Sequence, residues 1–508
     1  SEPIQTRRRK LSVGAKLLFA SGALQEATVT AGGLTTIIFY NQVLGVSPAL
    51  AGTAFLIASI VDAISDPLIG YISDRFRSVW GRRLPFMFAS ALPIAVSFYF
   101  LYQPIEGLSE TGYFFWLVTF LILLRLSQTF YLIPHDALGA ELTEDYEERS
   151  MIFGYNSVAV SLLTILTASV LSYVILPTTP GVEHGYLNEA GYFVLAATGS
   201  VTIFFSVLVC SLGMVNQLPY LHDQNYQSDL SHIPSIKDYL SQFVALFRNI
   251  SYLATCISLL ILYIGLGIIA LVANYAYIYV YELSSEAMAL ASFAKTPGVF
   301  IAIPLLMFLS KRMEKKNIVI ISTVIMSLMI ALPHNLRLLD LSPANDSIFI
   351  LVGLFLPLLL GYMLFPVSAI VLDSQLADIA DQHELKTSFR SEGVIFSARS
   401  FGIKSTTGIG GFIAGFGLEY IGFPENAEVG ALMQETITGL LVLNGPVYMF
   451  IYLVAAGCMS FYQLDRNSHN QILRELESIR RGREGTYASE GQRDSWLDKW
   501  NPFKKKTK

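Results

Sequence analysis

The sequence predicts an all-α membrane protein of twelve transmembrane helices in two six-helix halves, from its composition, its apolar runs and the placement of its basic residues. Of 508 residues, 53% are hydrophobic and 14% charged, against about 25% charged in soluble chains, which excludes a water-soluble fold. A membrane crossing takes about 20 apolar residues. Apolar runs fall at roughly 12–43, 48–74, 84–103, 113–138, 150–176, 190–215, 250–281, 286–310, 317–334, 347–372, 392–421 and 431–463. Arg7 to Lys10, Arg75, Arg77, Arg82, Arg83, Arg149, Lys237, Arg248, Lys311, Arg312, Lys315, Lys316, Lys386, Arg390 and the tail lie on one side, and the opposite loops contain Arg337 alone. The positive-inside rule therefore puts both termini in the cytoplasm, as an even number of spans also requires.

Taken in chain order, the basic start ahead of the first run imitates a secretory signal, but the run continues too long and lacks a clear cleavage site. It is expected to be retained as span one. Residues 1–216 form the first six-span half, the polar stretch 217–249 a cytoplasmic central loop, 250–463 the second half, and 464–508 a cytoplasmic tail, part helix and part disordered. Trp496, Trp500 and Lys504 to Lys506 are placed to meet anionic lipid, although a solvated tail is the simpler expectation. An internal echo supports the division. The segment Glu141-Leu-Thr-Glu-Asp-Tyr-Glu-Glu-Arg149 follows span four, and the acidic-then-basic segment Asp378 to Arg390 follows span ten. Cys210, Cys256 and Cys458 sit in apolar runs without ligand spacing, so they read as small core residues. No basic stretch interleaved with aromatics marks a nucleic-acid surface.

Charges within the spans carry the functional signal. An ionised side chain at mid-bilayer costs at least about 2.5–3.5 kcal/mol, so those that remain usually pair or line a polar path. The sequence keeps Glu26 in span one, Asp62 and Asp66 in span two, Arg125 in span four, Lys295 in span eight, and Arg399 and Lys404 in span eleven. Ser59, Asp62, Asp66, Gly70 and Ser73 follow helical spacing and form one polar stripe, as do Gly22, Glu26, Thr30 and Gly33. Lys404 shares a face with Gly408, Gly411 and Gly415, where small side chains let helices approach. Each of these charges taken alone fits a structural ion pair equally well. The Asp62/Asp66 pair does not, because two carboxylates one turn apart repel and call for a cation or an ammonium group between them. Carboxylate and hydroxyl oxygens, with Ser65 and Thr129, are the hard ligands an alkali cation takes. Pro67, which lacks an N–H, frees a carbonyl beside the pair as a further ligand, or simply kinks the helix. Asn274, Tyr277 and Tyr281 share a face of span seven and suit either a hydroxyl-rich ligand or packing.

The segment Asp62-Ala-Ile-Ser-Asp-Pro-Leu-Ile-Gly-Tyr-Ile-Ser-Asp-Arg75, with Trp80-Gly-Arg-Arg83 and Pro85, resembles the glycoside-pentoside-hexuronide:cation symporters, the melibiose-carrier family of the major facilitator superfamily. The stretches 134–149 and 377–393, and Ser397-Ala-Arg-Ser-Phe401 with Lys404, agree with it. The resemblance implies a cation site at Asp62, Ser65, Asp66 and Thr129. Glu26 stands where the family has its sugar-binding aspartate, with Gln25 in place of a neighbouring lysine, and Lys404 matches the lysine linked to both sites. Asp74, Arg75, Arg82 and Arg83 match a cytoplasmic conformational latch, beside their plain role as positive-inside signal. Departures mark the solute pocket: Leu132 replaces a sugar-binding aspartate, Asp136 a stacking tryptophan, and Ser157 a sugar-binding arginine. These losses argue against melibiose itself. Arg125 and Arg399 are candidates to meet an anionic solute such as a uronic acid, or equally to be structural partners of nearby acids.

The expected function is symport of a sugar, glycoside or sugar-acid coupled to Na⁺, Li⁺ or H⁺, with no cofactor, by a monomer in contact with lipid in the plasma (bacterial inner) membrane. The solute would bind through Gln25, Glu26, Arg125, Asp136, Arg399 and Lys404. A lysolipid or other amphipathic anion is the alternative solute, from a related branch of the fold. A receptor or enzyme on this scaffold is the third possibility; no His-Glu-x-x-His, Gly-x-Ser-x-Gly or phosphate-cradling loop supports an enzyme.

Overall fold

The computed structural model describes residues 10–143, 146–181, 184–218, 246–387 and 392–489. Its first half comprises α1 (Val13–Ala20), α2 (Ala23–Ile38), α3 (Pro48–Arg75), α4 (Leu84–Tyr102), α5 (Glu110–Glu141), α6 (Tyr146–Val170) and α7 (Glu189–Val215). The second comprises α8 (Ile250–Tyr279), α9 (Ser285–Lys295), α10 (Pro297–Ser310), α11 (Lys315–Leu338), α12 (Ile348–Tyr362), α13 (Phe365–Thr387), α14 (Glu392–Tyr420), α15 (Gln434–Val442) and α16 (Tyr448–Met459). A further helix, α17 (Arg466–Ser489), follows in the tail. Ten segments among the described residues are long and apolar enough to cross a membrane. The other two expected spans are also helical: span one as α1 and α2, and span eleven as α14. Large apolar side chains such as Ile64, Leu92, Phe115, Phe205 and Phe349 stand exposed on the outer surface. In water such a surface would aggregate; lipid is its solvent.

Span one is expected as one run, but the structure breaks it at Ser21 and Gly22. The break has partners. The Phe19 carbonyl, released from the helix ladder, accepts from His135 Nε2 at 3.1 Å and from the Cys210 thiol at 3.4 Å. Ser206 of α7 donates to the Ser21 carbonyl and accepts from the Gln25 N–H, at 2.9 and 3.0 Å. Gly22 is required for close approach, since a Cβ there would collide with the Tyr131 hydroxyl. The span then ends in a π-helical turn, Phe39–Val43, a bulge often found where a helix must re-aim side chains.

The two halves meet along a small-residue seam between α3 and α14. A Cβ on Gly415 would strike the Pro48 carbonyl and Gly52, and one on Gly408 would strike Ser59, so the backbones approach as the glycine face predicts. One group of polar ties that join the halves lies at the end of the bundle away from the chain termini. Tyr279 and the Ala427 N–H both donate to Gln42 Oε1 at 2.8 Å, and Gln42 Nε2 donates to the Pro424 carbonyl at 2.9 Å. Tyr275 donates to Asn41 Oδ1 at 3.0 Å, and the Thr178 N–H donates to Glu286 Oε1 at 3.0 Å. The π turn of span one is thus the plug that carries Asn41 and Gln42 into the second half.

At the opposite end each half secures its own loops. Arg82 and Arg83 converge on Glu141 at 2.9 and 3.0 Å, and Arg83 also donates to Ser73 at 2.7 Å. In the second half Lys315 takes the equivalent acid Asp378 at 2.6 Å, so the sequence echo reflects a repeated device. The tail helix docks on the same half. Arg466 donates to the Ser310 carbonyl at 2.6 Å, His469 lies 3.0 Å from Asp381, and Leu464, Ile472 and Leu476 are buried. Residues 490–508 and most of the central loop lie outside the described residues.

Candidate solute and cation site

The helical spacing of α3 puts Asp62 and Asp66 on one face, and the seam with α14 brings the second half's cations to them. Asp62 is 6% exposed and lies 3.6 Å from the Arg125 guanidinium. Asp66 forms an ion pair with Lys404, one turn before the seam glycine Gly408. Thr129 donates to Asp66 Oδ1 at 2.9 Å, and Arg125 donates to Thr407 of α14 at 2.8 Å. Two carboxylates that would repel are therefore each balanced by a base, one of them from the opposite half. Ser65 is buried beside them, but its hydroxyl donates to the Asp62 carbonyl of its own helix at 3.3 Å. Arg125 thus meets an acid of its own half and a hydroxyl of the other.

A cavity of about 610 Å³ lies between α2, α5 and α6, on the side of the carboxylate pair nearer the chain termini. Glu26, Asp136, Tyr131 and Asn156 line it, together with Leu132 and Ser157. Asp136 is 65% exposed at its side chain and sits 3.3 Å from His135 Nδ1. The His135 ring is stacked on Phe19, with centroids 4.0 Å apart. Gln25 behaves differently from its neighbour: it is 0% exposed, its amide has no hydrogen-bond partner, and it is not a lining residue.

The other sequence candidates separate. Arg82 and Arg83 are in place at the loop, and their partner Glu141 was legible only as part of an acidic motif. The side chains of Asp74, Arg75 and Arg399 lie outside the described residues. The span-seven stripe does not act as one face. Asn274 reaches the Leu34 carbonyl at 3.1 Å, whereas Tyr281 bonds His334 at 3.1 Å and Tyr277 packs on Phe355. Tyr131 and Asn156 were missed, because a tyrosine and an amide on apolar helices give no sequence signal that distinguishes lining from core. Among the described residues no group of His, Cys, Asp and Glu could hold a metal ion.

Two six-helix halves, a mid-depth charge cluster at their junction and a cavity of small-solute size beside it define a secondary-transporter fold. The comparisons agree. Residues 18–466 match the family described as MFS/sugar transport protein, and the chain belongs to that family. It is 27% identical to an isoprimeverose transporter of Lactiplantibacillus pentosus over 449 residues, covering 87% of this chain and 86% of that relative. A sodium-dependent lysophosphatidylcholine symporter 1 of Xenopus tropicalis is 31% identical over 189 residues, covering 36% of this chain and 35% of that relative. Among solved structures, a D-xylose-proton symporter superposes with a TM-score of 0.60 at 15% identity, covering 88% of this chain and 96% of that one. The protein is an integral membrane transporter and not an enzyme.

Proposed function

We propose that this transporter is a symporter of the plasma membrane, the inner membrane of a bacterial cell, with both termini in the cytoplasm and a monomer in lipid. It carries a sugar, glycoside or sugar-acid together with Na⁺, Li⁺ or H⁺ by alternating access. The coupling ion binds at Asp62, Ser65, Asp66 and Thr129, and the solute binds beside Glu26 and Asp136. The supporting observation is the ion pair between Asp66 of the first half and Lys404 of the second. A cation that takes Asp66 must release the Lys404 ammonium, which loosens one half from the other. Ion and solute then favour the same conformation, and each tightens the other by one shared factor. Arg82, Arg83 and Glu141, with Asp74 and Arg75, act as the cytoplasmic latch. Names support the same reading, since the isoprimeverose transporter is a relative across most of the chain.

The test is uptake into proteoliposomes from a panel of sugars, uronates and lysolipids under imposed Na⁺, Li⁺ or H⁺ gradients. At least one gradient should stimulate at least one sugar, and Asp66→Asn should abolish the stimulation without loss of folded protein. No stimulation by any gradient would sink the symport claim. Stimulation confined to lysolipids would favour the alternative that the lysophosphatidylcholine relative raises.

A further inference from the structure

The charges that face the cavity are not balanced, and the imbalance specifies the solute. Among the described side chains no lysine or arginine lines it, while Glu26 and Asp136 do. The nearby bases are engaged elsewhere: Arg125 with Asp62 and Thr407, Lys404 with Asp66, and Lys16 with Glu148 at 2.7 Å. Among the described side chains His135 is the remaining base at the cavity, with Nε2 tied to the Phe19 carbonyl and Nδ1 beside Asp136. The lining therefore sums to one negative charge with His135 protonated and to two without it. The Glu26 carboxyl, a lining group, has no hydrogen bond or ion pair among the described residues.

The polar atoms of the wall show the same demand. The Tyr131 hydroxyl, on a residue 1% exposed, is buried beside the Cys210 thiol. The Asn156 Oδ1 is buried without a partner. An unmade hydrogen bond at a buried polar atom costs about 1–3 kcal/mol, so a solute hydroxyl that turns the Asn156 amide toward the cavity recovers it. The wall offers acceptors and one negative charge to a ligand, and asks for hydroxyls and a cation in return.

We propose that the site selects an ammonium-bearing, hydroxyl-rich solute, an amino sugar or amino glycoside, with its ammonium on Glu26 and its hydroxyls toward Asn156. A uronate would bring its carboxylate against Glu26 and Asp136, where like charges repel. The inference rests on the symport reading above and narrows its solute.

The experiment compares three probes that share one ring, the methyl glycosides of glucosamine, glucose and glucuronic acid. Each is measured by gradient-driven uptake in proteoliposomes and by ligand-induced thermal shift of the purified full chain. The amine should outcompete the glucoside and exceed the uronate by about tenfold or more, the scale of one charge-assisted contact. Glu26→Gln should erase the advantage of the amine over the glucoside in both assays, and the thermal-shift assay reads binding even if coupling is lost. Uptake with the uronate equal to or better than the amine, or an amine-to-glucoside ratio unchanged in Glu26→Gln, overturns the substrate class and leaves symport standing. No gradient-driven uptake of any of the three, with no thermal shift, overturns both.

Discussion

Thr129 and Ser65 carry similar hydroxyls a few ångströms from the same carboxylates, yet the structure gives them different work. Thr129 donates to Asp66 itself at 2.9 Å, while Ser65 spends its proton on a backbone carbonyl. A hydrogen bond to a charged group is worth about 1.5–3 kcal/mol, so Thr129→Val should weaken the activating cation about tenfold or more in concentration-dependence assays of uptake. Ser65→Ala should change it by no more than about threefold, on the smaller worth of a neutral bond; the reverse order would remove Thr129 from the cation site. The sequence made the Asp62/Asp66 stripe legible because charge in an apolar helix is conspicuous, and it placed Lys404 at matching depth. Whether Arg125 served a solute or an acid was not legible. That depends on a 3.6 Å approach between spans, and helical period says nothing about such distances.

At the scale of elements, α14 owes its position to side chains that are absent. Gly415 meets the Pro48 carbonyl and the Gly52 backbone, which cannot yield as a flexible side chain would. Gly415→Val should therefore cost about 1–3 kcal/mol of overpacking, visible as a lowered thermal midpoint in detergent, and should slow uptake by prising Lys404 from Asp66. Gly457→Ala, in open space on α16, serves as the control and should be tolerated; equal damage from the two would dismiss the seam. This face was readable from spacing. The break in span one was not, because hydropathy averages over a window and Ser21 and Gly22 are too few to interrupt it. The stripe of Asn274, Tyr277 and Tyr281 left ligand and packing open for a related reason: α8 is buried nearly all round, so one face of the helix meets several neighbours.

At the scale of the whole molecule, the two halves are closed against each other at the end remote from the termini, and one histidine there is poised to respond to acid. His184 is buried in the loop after span five, and its Nδ1 accepts from the Tyr186 N–H at 3.1 Å. Burial lowers its pKa from the ordinary 6.5 to about 4. The folded state thus favours the neutral ring. Its stabilising contribution is complete above about pH 6.5 and is lost as pH falls toward 4, a change of about 3 kcal/mol. Protonation removes the acceptor from the turn whose loop also carries Thr178 to Glu286. The thermal midpoint should fall across that window, and His184→Gln should flatten the fall; an equally steep curve in the variant would clear this residue. The tail helix has a further consequence. Its described ties run to the second half, through Arg466 at the Ser310 carbonyl and His469 at Asp381, so it tilts as a pointer fixed to that half. An exposed position on it, such as Arg474, is a site for an optical label whose distance to a first-half loop would report each turnover without touching the solute path.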